Sequence, residues 1–262
     1  MNLEKYGPWA LIVGGSEGIG AALARKLAAK KINIVLVARK EPPLTELATE
    51  LRSSGVEVRT LSADLSRSDV LDTVRTVTDD IVIGYLIYVS GANSVRGNIV
   101  ELDPEVYRAV IAVNVLAPVE FVRHYGSRMK DRRQGGIILA GSLSNFIGSA
   151  TLGAYTASKA FSRIFSEALW AECKPMGIDV LHVVVGFTAT PAMERLGIDI
   201  SSAQSPTEVA QEALDNIQNG PLLILGGQKS LDVAIQRSCL INRGALIASV
   251  ATPSRKDMPR KS

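Results

Sequence analysis

The stretch WALIVGGSEGIG, residues 9–20, runs from five apolar residues into a glycine-rich turn. Residues 9–13 predict a strand, and residues 18–30, rich in Ala and Leu, predict the helix that follows it. Such a turn lets the backbone approach a pyrophosphate, to which the helix presents free N–H groups and the positive end of its dipole. The stretch therefore predicts a nucleotide-binding turn, whose candidate contacts are Gly14, Ser16, Glu17, Gly18, Ile19 and Gly20.

The same alternation of strand and helix continues along the chain. Apolar runs predict further strands at residues 32–38, 56–63, 83–89, 136–140, 178–185 and 222–225. Segments with helical periodicity lie between them, at residues 44–53, 68–78, 104–114, 118–130, 153–174 and 207–218. Crossovers of this length imply right-handed βαβ units. The predicted fold class is α/β: a single-domain, doubly wound parallel sheet of the Rossmann type, with helices on both faces.

Length and charge set limits on the kind of protein. With 262 residues and 47% hydrophobic content, the chain is long enough for one large domain. We predict that domain over residues 1–235, with a substrate lid at about 190–206. A net charge of +3 is too small to indicate a nucleic-acid partner. Residues 236–262 read as a basic, solvated extension that is helical at 238–250.

Several other classes are disfavoured by what the sequence contains. Two cysteines and two isolated histidines suggest neither a disulfide framework nor a metal site. The longest apolar runs fall far short of the roughly 18 residues that a membrane span requires. The first residues show no signal-peptide pattern. These observations predict a cytoplasmic protein with no integral membrane segment and no bound metal.

The residues that follow the second and third strands bear on the choice of cofactor. An acidic side chain after the second strand would accept hydrogen bonds from a ribose diol and favour NAD. Arg39 and Lys40 stand there instead. Because a guanidinium fork suits a 2′-phosphate, we predict NADP(H), an exposed strand-end charge being the alternative for Arg39. Asp64 and Leu65 follow the third strand, where the aspartate either meets the adenine or caps a turn.

A tyrosine, a lysine and a serine carry the predicted chemistry. Tyr155 and Lys159 are four residues apart in a predicted helix and share one face of it, and Ser142 lies upstream. A free tyrosine has a pKa of about 10. A cation at about 4 Å, at an effective dielectric of about 20, contributes about 4 kcal/mol and would lower that pKa by about three units. Tyr155 is then expected to protonate a carbonyl oxygen that Ser142 orients, while the cofactor supplies hydride.

Together these motifs resemble the short-chain dehydrogenase/reductase family over about residues 6–230. The matching residues are Gly14, Gly18, Gly20, Asp64, Asn114, Ser142, Tyr155 and Lys159. The resemblance implies that Tyr155 is the acid/base and that Ser142 orients the carbonyl. It also implies that Lys159 tunes the tyrosine and binds the ribose, and that Asn114 places a water in a proton relay.

The segment VGFTAT, residues 185–190, is similar to the Pro-Gly-x-x-x-Thr motif of that family. The resemblance implies cofactor contacts at Gly186, Thr188 and Thr190 and, after the fourth strand, at Ser90 and Gly91. The family pattern is broken at Val13, at residues 88–91 and at Val185, where Thr, Asn-Asn-Ala-Gly and Pro are usual. These departures concern backbone support, and not the reacting groups.

The opening KYGPWA, residues 5–10, and the segment GGQK, residues 226–229, stand out within the family pattern. In these segments the chain resembles steroid and long-chain ketoacyl reductases, bacterial 7-beta-hydroxysteroid dehydrogenases in particular. Apolar candidates for a substrate wall lie near Ser142 and after Thr190; among the latter, Leu196 and Ile198 either face the substrate or pack a lid onto the body. We expect a bulky, largely hydrophobic ketone or alcohol, hydroxysteroid-like or long-chain, held by Ser142, Phe146, Tyr155 and Met193.

Alternatives remain for both activity and assembly. A non-catalytic NADPH-binding sensor or scaffold is expected to lose the tyrosine or the lysine, and this chain has both; a 3-oxoacyl reductase of lipid metabolism would keep them. The family resemblance implies a homodimer or homotetramer, paired through residues 118–130 and 153–174. Residues 238–250 would contact a partner subunit, touch a membrane or pack on their own domain.

Overall fold

The computed structural model describes residues 3–91, 96–195, 197 and 199–250. Within them, seven parallel strands form one sheet in the order β3-β2-β1-β4-β5-β6-β7. The order reverses beside β1, so the sheet is doubly wound, as predicted. The strands are β1 (Trp9–Val13), β2 (Asn33–Ala38), β3 (Val58–Ser62), β4 (Ile83–Tyr88), β5 (Gly135–Ser142), β6 (Ile178–Val185) and β7 (Leu222–Ile224).

Helices cover both faces of this sheet. They are α1 (Leu3–Tyr6), α2 (Gly18–Ala29), α3 (Glu41–Arg52), α4 (Val70–Arg75), α5 (Pro104–Ile111), α6 (Ala117–Arg132), α7 (Gly153–Cys173), α8 (Pro191–Arg195), α9 (Pro206–Asp215), α10 (Gly227–Ser238) and α11 (Arg243–Ser249). On one face, Leu23 of α2 and Leu47 of α3 enter the core. On the other, Phe121 of α6 and Leu169 of α7 do so. Strands buried from both sides appear in sequence as continuous apolar runs, which is why they are predictable.

Some boundaries differ from the prediction because of local chemistry. α3 begins at Glu41, earlier than predicted, because Pro42 and Pro43 occupy first-turn positions where no N–H is needed. The helix predicted at 104–114 ends at Ile111 and passes through a π-helix, Ala112–Leu116, directly into α6. β5 continues beyond its predicted end, to Ser142.

The C-terminal part of the chain differs most from expectation. α10 is not predicted from the sequence, and it crosses the boundary placed between residues 235 and 236. α11 lies within the predicted helical segment 238–250. Residues 251–262 of the basic extension, and Leu196 and Ile198 of the lid, lie outside the described residues.

In the part of the chain that the structure describes, none of the helices is both long and apolar enough to cross a membrane. The same part also contains no group of three or more His, Cys, Asp or Glu side chains placed to hold a metal ion.

Candidate active site

A cleft opens at the carboxyl ends of the central strands, the edge at which doubly wound sheets bind ligands. Its cavity volume is about 210 Å³. Residues from both halves of the chain meet here because parallel strands end at the same edge. The predicted site residues that line the cleft are Ile19, Gly91, Ser142, Tyr155, Lys159, Gly186, Thr188, Thr190 and Met193.

Ser142 and Tyr155 are hydrogen-bonded within this cleft. Ser142 is the last residue of β5 and caps a short 3₁₀ helix, Leu143–Phe146, where its Oγ accepts the Ser144 N–H at 3.2 Å. The Ser142 hydroxyl also hydrogen-bonds the Tyr155 hydroxyl. The end of a strand therefore fixes one hydroxyl, and the first turn of α7 brings the second to it.

Burial dominates the acidity of the tyrosine. It raises the pKa of Tyr155, and the hydrogen bond with Ser142 lowers that pKa only in part. Lys159 is buried too, and its Nζ donates to the Ala140 carbonyl at 2.9 Å, 5.9 Å from the Tyr155 ring centre. In the chain by itself the pKa of Tyr155 therefore lies above its ordinary value, because lost hydration dominates. That Lys159 acidifies Tyr155 stays a prediction for the complex with the cofactor.

Burial disfavours the charged form of Lys159 as it does that of Tyr155. It lowers the pKa of the Lys159 ammonium to about 8, since removal from water disfavours the charged form. The bond to Ala140 satisfies one of the three N–H donors of the ammonium. A partner that presents further oxygens to Nζ would raise the pKa of Lys159 again and stabilise its charge beside the tyrosine.

Asn114 lies behind Lys159, in the π-helix. Its side chain is buried, and its Nδ2 donates to Ser158 Oγ at 3.0 Å. A Cβ added to Gly91 would lie 3.3 Å from Lys159 Nζ and 3.6 Å from Asn114 Oδ1, so the three residues are in contact. Single π-turns of this kind often occur at functional sites. The structure thus gathers the four predicted catalytic residues in one cluster.

The glycine turn forms a cradle beside the cleft. Gly14 has a φ of +92°, and a Cβ there would lie 2.7 Å from the Ser90 nitrogen, which donates to the Val13 carbonyl at 3.0 Å. A Cβ on Gly20 would lie 2.1 Å from the Gly14 carbonyl oxygen. α2 begins at Gly18, and the first N–H groups of a helix have no partner within it. Bare backbone and free N–H groups fit the pyrophosphate of a dinucleotide.

Glu17 joins this turn to the predicted lid. Its carboxylate accepts two hydrogen bonds from Arg195 of α8, at 2.7 and 2.8 Å, and lies 3.7 Å from Lys40 Nζ. The Arg195 guanidinium holds the pKa of Glu17 below its usual value. Ser16, Glu17 and Gly18 line a second cleft, which α2 and α3 also border. Sequence reasoning does not find Arg195, because its partner lies 178 positions away.

The two ends of the lid are also tied together. The Ala189 N–H donates to the Gln204 carbonyl at 2.9 Å, and the Gln204 N–H donates to the Phe187 carbonyl at 3.0 Å. Thr190 stands close to the glycine turn, since a Cβ on Gly18 would lie 3.1 Å from its methyl group. The described part of the lid is thus anchored to the body and to the cradle.

Arg39 and Lys40, after β2, are both exposed. After β3, Asp64 Oδ1 accepts the Ser66 N–H at 3.0 Å and the Ser66 hydroxyl at 2.8 Å. Those bonds hold the pKa of the Asp64 carboxyl below its ordinary value. The aspartate therefore caps a turn, one of the two interpretations left open by the sequence. Leu65 packs its side chain into the core.

Phe146 does not reach the cleft. The 3₁₀ turn directs it to a neighbouring cavity, which it shares with Arg243, and its ring lies 5.3 Å from the Arg163 guanidinium. In this structure Phe146 thus lines the neighbouring cavity, and its contact with the substrate stays a prediction. Met193 lines the cleft as predicted, and Phe187 lines it too.

The chain matches the model of the family described as short chain dehydrogenase over residues 8–201. It is 34% identical to the 7beta-hydroxysteroid dehydrogenase of Collinsella aerofaciens, over 88% of this chain and 91% of that protein. It is 32% identical to the very-long-chain 3-oxoacyl-CoA reductase of Neurospora crassa, over 82% of this chain and 67% of that protein.

Solved structures give similar matches. A 7beta-hydroxysteroid dehydrogenase studied for its stereoselectivity superposes with a TM-score of 0.89 at 32% identity, over 95% of this chain and 99% of that one. A short-chain dehydrogenase from Sphingobium yanoikuyae, in complex with NADPH, superposes with a TM-score of 0.77 at 30% identity, over 97% and 98% of the two chains.

Proposed function

The chain belongs to the short-chain dehydrogenase family, and from that premise we propose that it interconverts a ketone and a secondary alcohol with NADP(H) as cofactor. The observation that carries the proposal is the cluster around the cleft. Hydrogen-bonded Ser142 and Tyr155 hydroxyls, with Lys159 and Asn114 behind them, stand beside a glycine cradle that fits a dinucleotide. An acid and a cofactor site in one cleft suit hydride transfer to a carbonyl.

Each side chain has one task in this proposal. The cofactor, when bound, supplies or accepts the hydride. In the reducing direction, the Ser142 and Tyr155 hydroxyls donate hydrogen bonds to the carbonyl oxygen, and Tyr155 then gives its proton to that oxygen. Lys159 stabilises the phenolate that is left, and Asn114 takes part in returning a proton to it. In the oxidising direction, the phenolate accepts the proton of the alcohol.

Three parts of the site would hold the cofactor. The glycine turn with Ser16, Glu17 and Ile19 takes the pyrophosphate, and Arg39 with Lys40 takes the 2′-phosphate. The segments after β4 and β6, with Ser90, Gly91, Gly186, Thr188 and Thr190, meet the nicotinamide half. The absence of an acid after β2 supports NADP(H) over NAD(H). The NADPH complex of the Sphingobium relative is in line with this choice.

We propose a bulky, largely hydrophobic substrate, of the hydroxysteroid type. The cleft walls carry apolar residues, namely Ile19, Val89, Val185, Phe187 and Met193. Burial of apolar substrate area on such walls contributes roughly 25 cal/mol per Å². The similarity to 7beta-hydroxysteroid dehydrogenases over most of both chains supports the steroid class.

Two other functions would use parts of the same site. A 3-oxoacyl reductase is the second candidate, because the chain also resembles very-long-chain 3-oxoacyl-CoA reductases. A non-catalytic NADPH sensor or scaffold would need the cradle alone. The hydrogen bond between Ser142 and Tyr155, with Lys159 four residues on, argues against that possibility.

NADPH consumption separates these functions. The purified protein is assayed with 7-ketosteroids, 3-oxoacyl thioesters and small hydrophilic ketones. We expect turnover with the steroids, whereas turnover with thioesters alone would favour the second candidate, and turnover confined to hydrophilic ketones would refute the substrate class. Tyr155→Phe should bind NADPH normally yet lose turnover. Tyr125→Phe removes another buried hydroxyl, bonded to Thr78 at 2.8 Å outside the cleft, and should retain turnover.

A homo-oligomer is also proposed. Phe161 and Ile164 of α7 are 41% and 53% exposed, and Leu116 of the neighbouring π-helix is 56% exposed. A groove between α6 and α7 lies on the same pair of helices that the family resemblance assigns to subunit pairing. Large apolar side chains grouped on two adjacent helices support burial against a second subunit.

A further inference from the structure

The 3₁₀ turn Leu143–Phe146, which directly follows Ser142, is bonded by two arginines from the C-terminal part of the chain. Arg237, in the last turn of α10, donates from Nη1 to the Leu143 carbonyl at 3.1 Å. Arg243, at the start of α11, donates from Nη2 to the Phe146 carbonyl at 2.6 Å. The first and last carbonyls of the turn are thus both held by guanidinium groups.

Hydrogen bonds and partial burial hold the two arginine side chains in place. Arg243 Nη1 donates to the carbonyls of Arg237 and Cys239, which links the end of α10 to the start of α11. Both arginines are half-buried, whereas residues 238–242 between them are exposed. Burial lowers the pKa of the Arg237 guanidinium. Their inward position contradicts the expectation of a solvated basic extension for this part of it.

The opposite side of the turn is held by the core. Ser166 Oγ donates to the Ser162 carbonyl at 2.7 Å, so it accepts the hydrogen of His182 Nδ1 at 3.1 Å. His182 Nε2 is then an acceptor, and it receives the Asn145 Nδ2 hydrogen at 3.2 Å. Burial lowers the pKa of His182 to about 3, which keeps this neutral form at physiological pH. The core therefore fixes Asn145, and the two arginines fix the carbonyls on either side of it.

We propose that Arg237 and Arg243 are positioning residues, which hold the turn after β5 in the one arrangement that aims the Ser142 hydroxyl at the reacting oxygen. Ser142 Oγ accepts the N–H of Ser144, a residue inside the turn. If the carbonyls of Leu143 and Phe146 are released, that N–H moves, and the serine hydroxyl loses its fixed direction. A misplacement of about 1 Å at a reacting group costs about 100-fold in rate.

This inference rests on the proposed function, and its test uses the ketone that the unaltered protein turns over fastest. Arg237→Met and Arg243→Met each remove one guanidinium and keep an unbranched side chain. We expect kcat to fall about tenfold or more, with NADPH affinity unchanged because neither residue touches the cradle. Arg237→Lys and Arg243→Lys, which can still donate to one carbonyl, should recover part of the loss.

Arg132→Met is the matched control. Arg132 is partly buried, with its pKa lowered by burial as for Arg237, and its Nη2 donates to the Ile83 carbonyl at 2.8 Å, far from the cleft. It should lower thermal stability by a similar amount while leaving kcat unchanged. A purely structural role for Arg237 and Arg243 predicts the same pattern for all three Met variants.

The outcomes are distinguishable. Unchanged kcat in both Met variants, or loss of NADPH binding in step with loss of kcat, would overturn the inference and leave the proposed function intact. Absence of turnover by the unaltered protein on every ketone would instead overturn the proposed function. If a Met variant fails to fold, the matching Arg237→Gln or Arg243→Gln variant decides, because its shorter side chain does not reach the carbonyl: a folded Gln variant with full kcat refutes the positioning role.

Discussion

At Lys159, the spacing in the sequence and the burial in the fold lead to opposite expectations for the pKa of Tyr155. Its spacing from Tyr155 suggests a cation that acidifies a phenol, yet burial reduces its own pKa to about 8 and raises that of the tyrosine. The phosphate-bearing cofactor predicted for this cleft would bring oxygens and negative charge towards the ammonium. On this view, full catalytic acidity of the pair arises only in the complex.

The burial of Lys159 should make the free energy of unfolding of the cofactor-free protein depend on pH. Below about pH 8 the lysine is charged in the folded and unfolded chains alike, and folding bears the cost of burying it. Between about pH 8 and 10.5 the folded chain binds fewer protons than the unfolded chain, so this residue makes stability rise with pH. Lys159→Met should remove that rise, worth about 3 kcal/mol at most.

Urea titrations across that pH window supply the measurement. The free energy of unfolding of the unaltered protein, minus that of Lys159→Met, should grow as pH rises. Lys229→Met removes an exposed ammonium and serves as the control. Parallel curves for the unaltered protein and Lys159→Met would show that the buried lysine does not titrate in this way.

Arg39 decides the proposed preference for NADP(H). We expect Arg39→Ala to weaken NADPH binding about 10- to 100-fold, since hydrogen bonds to charged groups contribute about 1.5–3 kcal/mol. NADH binding should hardly change. Fluorescence titration with each cofactor measures the effect, and Arg67→Ala, whose guanidinium is already paired with Asp69 at 2.7 Å, is the control. An equal loss for both cofactors would exclude recognition of the 2′-phosphate.

Among the secondary-structure elements, the strands were predictable and the last helices were not. β1 and β6 coincide with their predicted ranges because their apolar runs are buried on both sides. α10 escapes prediction because it begins with glycines, Gly226 and Gly227, at φ of +94° and +65°, and buries only Ala234. A helix held mainly by polar contacts lacks the apolar periodicity on which such predictions rest.

In the candidate site, too, some residues were predictable from sequence and others were not. Ser142 and Tyr155 could be located from sequence because the first ends a recognisable strand and the second lies in the first turn of a recognisable helix. Asn114 is located only through the family resemblance. The direction of Phe146 could not, because a 3₁₀ turn advances each side chain by about a third of a turn. Arg195 and Arg237 find their partners only in the folded chain, and local sequence carries no signal for such contacts.

α8 is predicted to depend on its ion pair for local order. Arg195 and Glu17 are partly exposed, so Arg195→Met should cost under about 1 kcal/mol of global stability. The amides of α8 should nevertheless exchange hydrogen faster, because this pair ties the helix to the glycine turn.

Hydrogen exchange followed by mass spectrometry tests this. Arg25→Met breaks an equivalent two-bond pair with Glu50, between α2 and α3, and should leave α8 unaffected. Equal exchange rates in α8 before and after Arg195→Met would mean that other contacts hold the lid.

For the molecule as a whole, the proposed assembly is open to direct test. Ile164→Glu places a charge in the proposed interface, where an unpaired buried charge is strongly unfavourable. We expect sedimentation to report a smaller particle. Val100→Glu, at a side chain that is 90% exposed and far from α7 in sequence, should keep the assembly intact. An unchanged mass for Ile164→Glu would rule out this face of α7.

Arg237 and Arg243 stand 94 and 97 positions after the carbonyls that they bind. Chains begin to fold from the N-terminus while they are still being synthesised. On the ribosome, the serine and its turn therefore emerge well before the residues that fasten them. If the two arginines position Ser142 as proposed, we expect a nascent chain that has completed its sheet to gain full activity only after α10 and the start of α11 have been translated.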